Sequence, residues 1–145
     1  MKLRTLAFAV LSSFAAAASA SPAATHQEVV DFVTAAGWEV CDSVANDPPK
    51  NLAGAKGKHL VQVGKPCASA DKAHPTVLFV IEFDNDANRD AAIGHFVAAY
   101  NDAIIEMGDA WPIGERFAIF ASGPAHAAVR DSLAAEVAKR KAATN

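Results

Sequence analysis

Residues 76–83, TVLFVIEF, are the stretch of this sequence that most constrains the fold. Their side chains are almost all apolar, so both faces of a strand built from them would avoid water. A strand of this kind belongs in the middle of a sheet, where other elements cover its two faces. We therefore predict a central strand here and expect the rest of the chain to be arranged around it.

Three further strands are predicted, two before this stretch and one after it. Residues 38–44, WEVCDSV, alternate between apolar and polar side chains, as a half-buried strand does. Residues 58–64, KHLVQVG, and residues 116–121, RFAIFA, are predicted as the second and the last strand. The first three strands can form a meander, whereas the path from 76–83 through a helix to 116–121 is a candidate right-handed crossover.

Three helices are predicted around these strands. Thr25 and Glu28 form a capping box at the start of the first helix, and Gly37 lies at its end. The second and longest helix is predicted from about Asp86 to Met107, where apolar side chains recur at helical spacing. The last helix follows Pro124, which suits a position near the first helical residue. The stretch DAWPIGE, just before the last strand, is predicted to be a turn.

The predicted order of elements is α-β-β-β-α-β-α. We expect an α+β fold formed by a single domain over residues 21–145. Its sheet is predicted to be mostly antiparallel with four to five strands, and the three helices pack on this sheet. One disulfide is expected within the domain.

The first 20 residues have the order of a secretory signal peptide. Lys2 and Arg4 form a positive head, an apolar run follows, and Ala18-Ser19-Ala20 is a small-x-small cleavage site. The apolar run is about 13 residues long, whereas a spanning helix needs about 20. We predict cleavage after Ala20, no membrane span in the mature chain, and a periplasmic or secreted protein.

Removal of the leader makes the chain more acidic. It leaves 125 of the 145 residues, with 11 basic side chains (13 less Lys2 and Arg4) against 16 acidic ones, a net charge of −5. A mildly acidic surface favours solubility and argues against nucleic acid as the main partner. The oligomeric state does not follow from this composition.

Cys41 and Cys67 are the only two cysteines of the chain. In an oxidising compartment an even number of cysteines favours a bridge. The spacing is not that of a Cys-x-x-Cys redox centre, and a zinc site would need two more suitably placed ligands. We predict a Cys41–Cys67 disulfide that closes a loop of about 27 residues and contributes about 3.5 kcal/mol to stability.

The stretch PKNLAGAKGKHLVQVGK carries Lys50, Lys56, Lys58 and Lys65 with no acidic residue between them. Such a positive lobe in an acidic chain indicates binding to an acidic protein or to an anionic component of the envelope, and a solvated loop is the alternative. Trp111 is a second binding candidate. It either caps the edge of the core or serves as an exposed aromatic anchor of an interface.

Few features of the sequence indicate catalysis. No two of the five histidines lie within four residues of each other, and the Gly-x-Ser-x-Gly motif is absent. The weak candidates for a histidine–carboxylate pair are His95 with Glu82 or Asp84. No metal site and no cofactor are predicted.

The sequence therefore favours a non-enzymatic, exported, disulfide-bridged binding or interaction protein, similar in kind to an inhibitor or an immunity protein. Two alternatives stay open: a small secreted hydrolase with a histidine–carboxylate pair, and a carrier of a metal or small ligand. A binding protein should expose an apolar patch. An enzyme needs a perturbed histidine or carboxylate in a pocket, and a metal carrier needs at least three converging ligand atoms.

N-terminal sequencing of protein recovered outside the cytoplasm should read Ser21 first, because the small-x-small triplet ends at Ala20. Exported protein that still begins at Met1 would contradict this prediction.

Overall fold

A computed structural model of the chain describes residues 24–100 and 108–144. The predicted signal peptide and residues 101–107, the end of the predicted second helix, lie outside the described residues. Within the described ranges, no helix is both long enough and apolar enough to cross a membrane.

The described residues form three α-helices, five strands and one short 3-10 turn, as an α+β fold. The helices are α1 (His26–Ala35), α2 (Asp86–Tyr100) and α3 (His126–Ala143). The strands are β1 (Glu39–Asn46), β2 (Ala55–Gly64), β3 (Thr76–Phe83), β4 (Gly108–Ile113) and β5 (Phe117–Ser122). The 3-10 turn is Cys67–Ser69.

The five strands form one antiparallel sheet in the order β1-β2-β3-β5-β4. The prediction of a central strand at TVLFVIEF is confirmed, because β3 pairs with β2 on one side and with β5 on the other. The predicted crossover from β3 to β5 is wrong, since these two strands run antiparallel. The chain instead passes from β3 through α2 to β4, which runs in the same direction as β3, and then turns back into β5.

Strand β4 occupies most of the stretch that was predicted to be a turn. Its residues pair in register with β5, and Trp111 lies opposite Ile119. The turn itself is shorter and includes Gly114, whose φ of +59° favours glycine. Because of Pro112, a strand was not predicted here from the sequence. An edge strand tolerates a proline, however, because its outer side needs no hydrogen bonds.

Helix α1 begins where the sequence predicted. Thr25 Oγ1 accepts a hydrogen bond from the Glu28 N–H, and the Glu28 side chain accepts one from the Thr25 N–H. This capping box satisfies two of the donors that a helix start leaves unpaired. It also fixes the position of the first helical residue, His26.

The sheet has helices on both faces. Helices α1 and α3 cover one face, where the larger of two apolar clusters lies around the fully buried Val33, Val61, Leu78 and Leu133. Helix α2 covers part of the other face and packs mainly on β3, β5 and β4. The smaller cluster under α2 consists of Ile81, Phe83, Ala92, Ala118 and Phe120.

The predicted disulfide is present. Cys41 in β1 is bonded to Cys67 in the 3-10 turn after β2, and their Cα atoms are 5.5 Å apart. The pairing of β1 with β2 shifts between Val40 and Asp42, so the cysteine sits at a bulge of the edge strand. The bridge therefore ties the edge strand β1 to the segment that follows β2.

Replacing one cysteine tests the contribution of this bridge. Cys67→Ser should lower the free energy of unfolding by about 2–4 kcal/mol, because the unfolded chain regains the entropy of the closed loop. Chemical denaturation of the oxidised mature protein measures the loss, with Ala68→Ser in the same exposed turn as the matched control. A loss no larger than that of the control would contradict the prediction.

Candidate functional site

An apolar row crosses the sheet on the α2 face and runs from the core out to solvent. Phe120, Phe79, Leu60 and Val44 lie opposite one another on β5, β3, β2 and β1. Phe120 is buried, whereas Phe79 is 37% exposed and Val44 is 49% exposed. Helix α2 covers only the inner end of this row, so the outer end is an exposed apolar surface of the kind that a binding protein needs.

A groove lies beside this row, between α2 and the loop that precedes β2, and we call it the aromatic groove. Its volume is about 640 Å³, within the range of pockets that hold ligands. Lys58 and His95 are its only lining residues with ionisable side chains among the residues that the structure describes. Its apolar lining includes Leu52, Phe79, Ile81, Ala92, Phe96 and Phe120.

The floor of the aromatic groove is formed by packed aromatic rings. Phe96 from α2 and Phe120 from β5 meet edge to face, with ring centroids 4.5 Å apart. Phe79 is the cross-strand neighbour of Phe120. Rings held by such packing and by the sheet register lose little freedom when a ligand arrives.

The four predicted lysines do not form one lobe. Lys56 and Lys65 lie near opposite ends of β2, a strand of ten residues and therefore about 30 Å long. Lys58 lines the aromatic groove, and Lys50 is exposed between two other lining residues. Lys65 instead places its Nζ 5.4 Å from the centroid of the Trp38 ring, far from the groove.

Trp111 lies in the core beneath α3 and is only 7% exposed. This position fits the core-edge alternative, so Trp111 is not available as an exposed aromatic anchor. Among the side chains that the structure describes, the exposed aromatic one is Phe79, which the sequence analysis missed. Nothing in the sequence marked it, because TVLFVIEF is apolar on both faces and predicted that both would be covered.

The predicted pairing of His95 with Glu82 or Asp84 does not form. Glu82 points to the α1 face of β3, whereas His95 lines the groove on the opposite face, because successive residues of a strand alternate. Asp84 accepts hydrogen bonds from Asn85 and Asn88 at the start of α2. His95 is seven residues beyond Asn88, which is about 10 Å along the helix.

Glu82 has partners other than His95. Its side chain is fully buried, and Oε2 accepts a hydrogen bond from the Ala24 N–H at 2.8 Å. Arg116 Nη1 lies 3.2 Å from Oε1 as an ion pair, although the geometry is not that of a hydrogen bond. A buried carboxylate needs such partners, because removing a charge from water without them is costly.

A chain of polar contacts lies on the same face as Glu82, and we call it the Ser43–His26–His59 chain. Ser43 Oγ is 3.0 Å from His26 Nε2, and His26 Nδ1 is 3.0 Å from His59 Nδ1. The two imidazole rings stack, with centroids 5.3 Å apart and planes 20° apart. Only one of the two facing Nδ1 atoms can carry a proton in this contact, because the other must accept the hydrogen bond.

The second histidine of this chain is held in its neutral form. Burial lowers the pKa of His59, which is 5% exposed, and the nearby His26 lowers it further. The Glu82 carboxylate raises the pKa of His59 but does not outweigh the other two effects. One ring nitrogen of His59 therefore carries no proton at neutral pH and can accept a hydrogen bond.

The remaining histidines have local roles. His74 pairs with Asp71 on the surface at 3.3 Å, and His126 Nδ1 contacts the Gly123 carbonyl at 2.8 Å. Across the described residues, no group of three or more histidine, cysteine, aspartate or glutamate side chains is placed to hold a metal ion.

A second cavity, of about 570 Å³, lies between α1, α3 and the turn from β4 to β5. Its charged lining residues are Glu28, Glu115, Arg116 and Arg140, so opposite charges balance. Arg140 lies 5.0 Å from the centroid of the Phe32 ring and bonds to Glu136. These contacts make the arginine part of the packing of α1 against α3.

The chain matches no protein-family model, and no curated protein or solved structure matches it. Function is therefore inferred from the geometry of the two faces of the sheet.

The lowered pKa of His59 predicts that stability falls on mild acidification. The unfolded chain takes up a proton near the ordinary histidine pKa of about 6.5, whereas folded His59 resists it until lower pH. The stabilising contribution is thus complete above that value and is lost as the pH falls through the folded pKa. The groups facing His59 are His26, Glu82 and, behind the carboxylate, Arg116.

We expect the free energy of unfolding to fall by up to about 1.4 kcal/mol per pH unit as the pH drops below about 6.5, the slope for one proton. His59→Gln should flatten this dependence, and the exposed control His74→Gln should keep it. Chemical denaturation across this pH range is the measurement. A His59→Gln protein with the same pH dependence as the wild type would contradict the assignment.

Proposed function

We propose that this chain is a small exported binding protein that captures an acidic segment of another protein, with apolar side chains, in the aromatic groove. The observation that carries the proposal is the apolar row that leaves the core at Phe120 and reaches solvent at Phe79 and Val44. The leader-like first residues support export. The Cys41–Cys67 bridge also supports it, since disulfides persist in oxidising compartments.

The apolar lining of the groove favours a protein segment as the ligand. Phe79 is exposed next to the packed rings of Phe96 and Phe120, and covering it with apolar groups lowers the free energy of the complex. A phosphate or a sugar acid cannot supply this cover, whereas the leucine and aromatic side chains of a protein can. Aromatic residues at the centre of an interface often carry most of its affinity.

The positive charges around the groove favour acidic side chains in this ligand. Lys58 and His95 line the groove, Lys50 is adjacent, and no carboxylate is among the lining residues that the structure describes. The whole chain has a net charge of −3, so this positive region contrasts with its surroundings. Acidic side chains that flank the apolar anchors of a partner would therefore be attracted and correctly oriented.

A selection from random displayed peptides tests the proposal on the oxidised mature domain. Peptides enriched in Asp and Glu next to Leu, Phe or Trp should be recovered, and fluorescence anisotropy then gives their affinity. Phe79→Ser should weaken binding about 10-fold or more, a loss of at least about 1.4 kcal/mol. Lys58→Glu should weaken binding most at low salt, because dissolved ions screen exposed charges and the screening length is only about 10 Å at 0.1 M.

Two matched controls separate the groove from general surface effects. Val97→Ser removes another exposed apolar side chain, one that does not line the groove, and Lys72→Glu reverses an exposed charge elsewhere. Both should leave the affinity unchanged. If Phe79→Ser binds the selected peptides as tightly as Val97→Ser, or if only polyanions without apolar groups are bound, the proposal is wrong.

A further inference from the structure

The Ser43–His26–His59 chain lies on the face of the sheet opposite the aromatic groove, and the binding function does not use it. Exposure falls along it from one end to the other: Ser43 and His26 are half-buried, His59 is buried, and Glu82 beyond it has no exposure. A hydroxyl near solvent is thus linked through two imidazoles towards a buried carboxylate.

The position of His59 favours one of its two neutral tautomers. Its Nε2 lies 3.6 Å from the point where a Cβ of Gly57 would be, and Gly57 is the cross-strand neighbour of Glu82. Nε2 is therefore on the side of the Glu82 carboxylate, which favours the proton there and leaves the Nδ1 of the neutral ring as an acceptor. His26 then donates from its own Nδ1, and its Nε2 keeps a free lone pair towards Ser43.

We propose that Ser43 is the nucleophile of an acyl-transfer site for small carboxylic esters, with His26 as its general base and His59 as a positioning residue. A serine hydroxyl is a weak nucleophile until a base within hydrogen-bond reach accepts its proton. Ser43 Oγ and His26 Nε2 meet this distance at 3.0 Å. His59, at 3.0 Å from His26 Nδ1, orients the base as the third group of such a set does.

The reaction has two balanced halves. Ser43 Oγ bonds to the ester carbonyl carbon while its proton passes to His26 Nε2, and the carbon–oxygen bond to the leaving group then breaks as that proton moves to the departing alkoxide. Water next attacks the acyl group on Ser43, gives a proton to His26 and releases the carboxylic acid. The proton then returns to Ser43, so the site is regenerated without any other reactant.

Two features of the surroundings favour this chemistry. Ser43 is on β1, an edge strand, so a small substrate can approach from the unpaired side. No described acceptor takes the N–H groups of His26 and Gln27 in the first turn of α1. These groups are at the positive end of the helix, where a nearby negative charge is favoured.

A fluorophosphonate probe and p-nitrophenyl acetate test the proposal on the oxidised mature protein. The probe should form a bond from phosphorus to Ser43 Oγ with loss of fluoride, and peptide mapping should place the label on this residue. Ser43→Ala should abolish the labelling and the ester hydrolysis. His26→Gln should slow both by about 100-fold or more, the usual contribution of a general base. Ser69→Ala, an exposed serine in the 3-10 turn, is the control and should react as the wild type does.

The pH profile distinguishes positioning by His59 from a merely structural role. Labelling should increase with pH, because only a neutral His26 can accept the proton. His59→Gln should slow labelling per folded molecule and shift the pH of half-maximal rate, whereas a structural role would change only the amount of folded protein. The proposal is overturned if Ser43 is not labelled, if His26→Gln reacts like the wild type, or if the pH of half-maximal rate stays the same in His59→Gln. It is also overturned if Ser69→Ala removes the label.

Discussion

The pairing of β3 on both of its edges is the constraint on which the rest of the structure depends. Leu78 and Val80 extend from β3 towards α1 and α3, whereas Ile81 and Phe83 extend towards α2. A strand that is apolar on both faces needs cover on both, and the fold therefore requires helices on the two sides of the sheet. The aromatic groove and the Ser43–His26–His59 chain therefore lie on opposite faces of the sheet.

The two faces are covered unequally, and this difference sets what each can do. Two helices cover the centre of one face, where the buried Glu82 pairs within the protein with Arg116 and the Ala24 N–H. The partly buried Ser43–His26–His59 chain lies on this face. On the other face a single helix leaves Phe79 in contact with water. An uncovered aromatic surface lowers its free energy by binding rather than by chemistry.

Strand β1 connects the two candidate sites. Ser43 and Val44 are consecutive, so their side chains lie on opposite faces, one beneath His26 and the other at the outer end of the apolar row. As the edge strand of the described sheet, β1 pairs with β2 and with no other strand. The Cys41–Cys67 bridge lies two residues before Ser43 and ties this strand to the segment after β2. One covalent bond thus supports the position of residues in both sites.

The sequence by itself determined the features that depend on neighbouring residues or on covalent chemistry. These are the capping box at Thr25, the central strand TVLFVIEF and the cysteine pair. Tertiary structure decided the rest. Pairing with β5 made a strand of a stretch with turn-forming residues, and the placement of α2 left Phe79 exposed. Glu82 meets the Ala24 N–H from 58 positions away. Such contacts depend on how helices and strands pack across long separations in the chain, and no local pattern of residues encodes them.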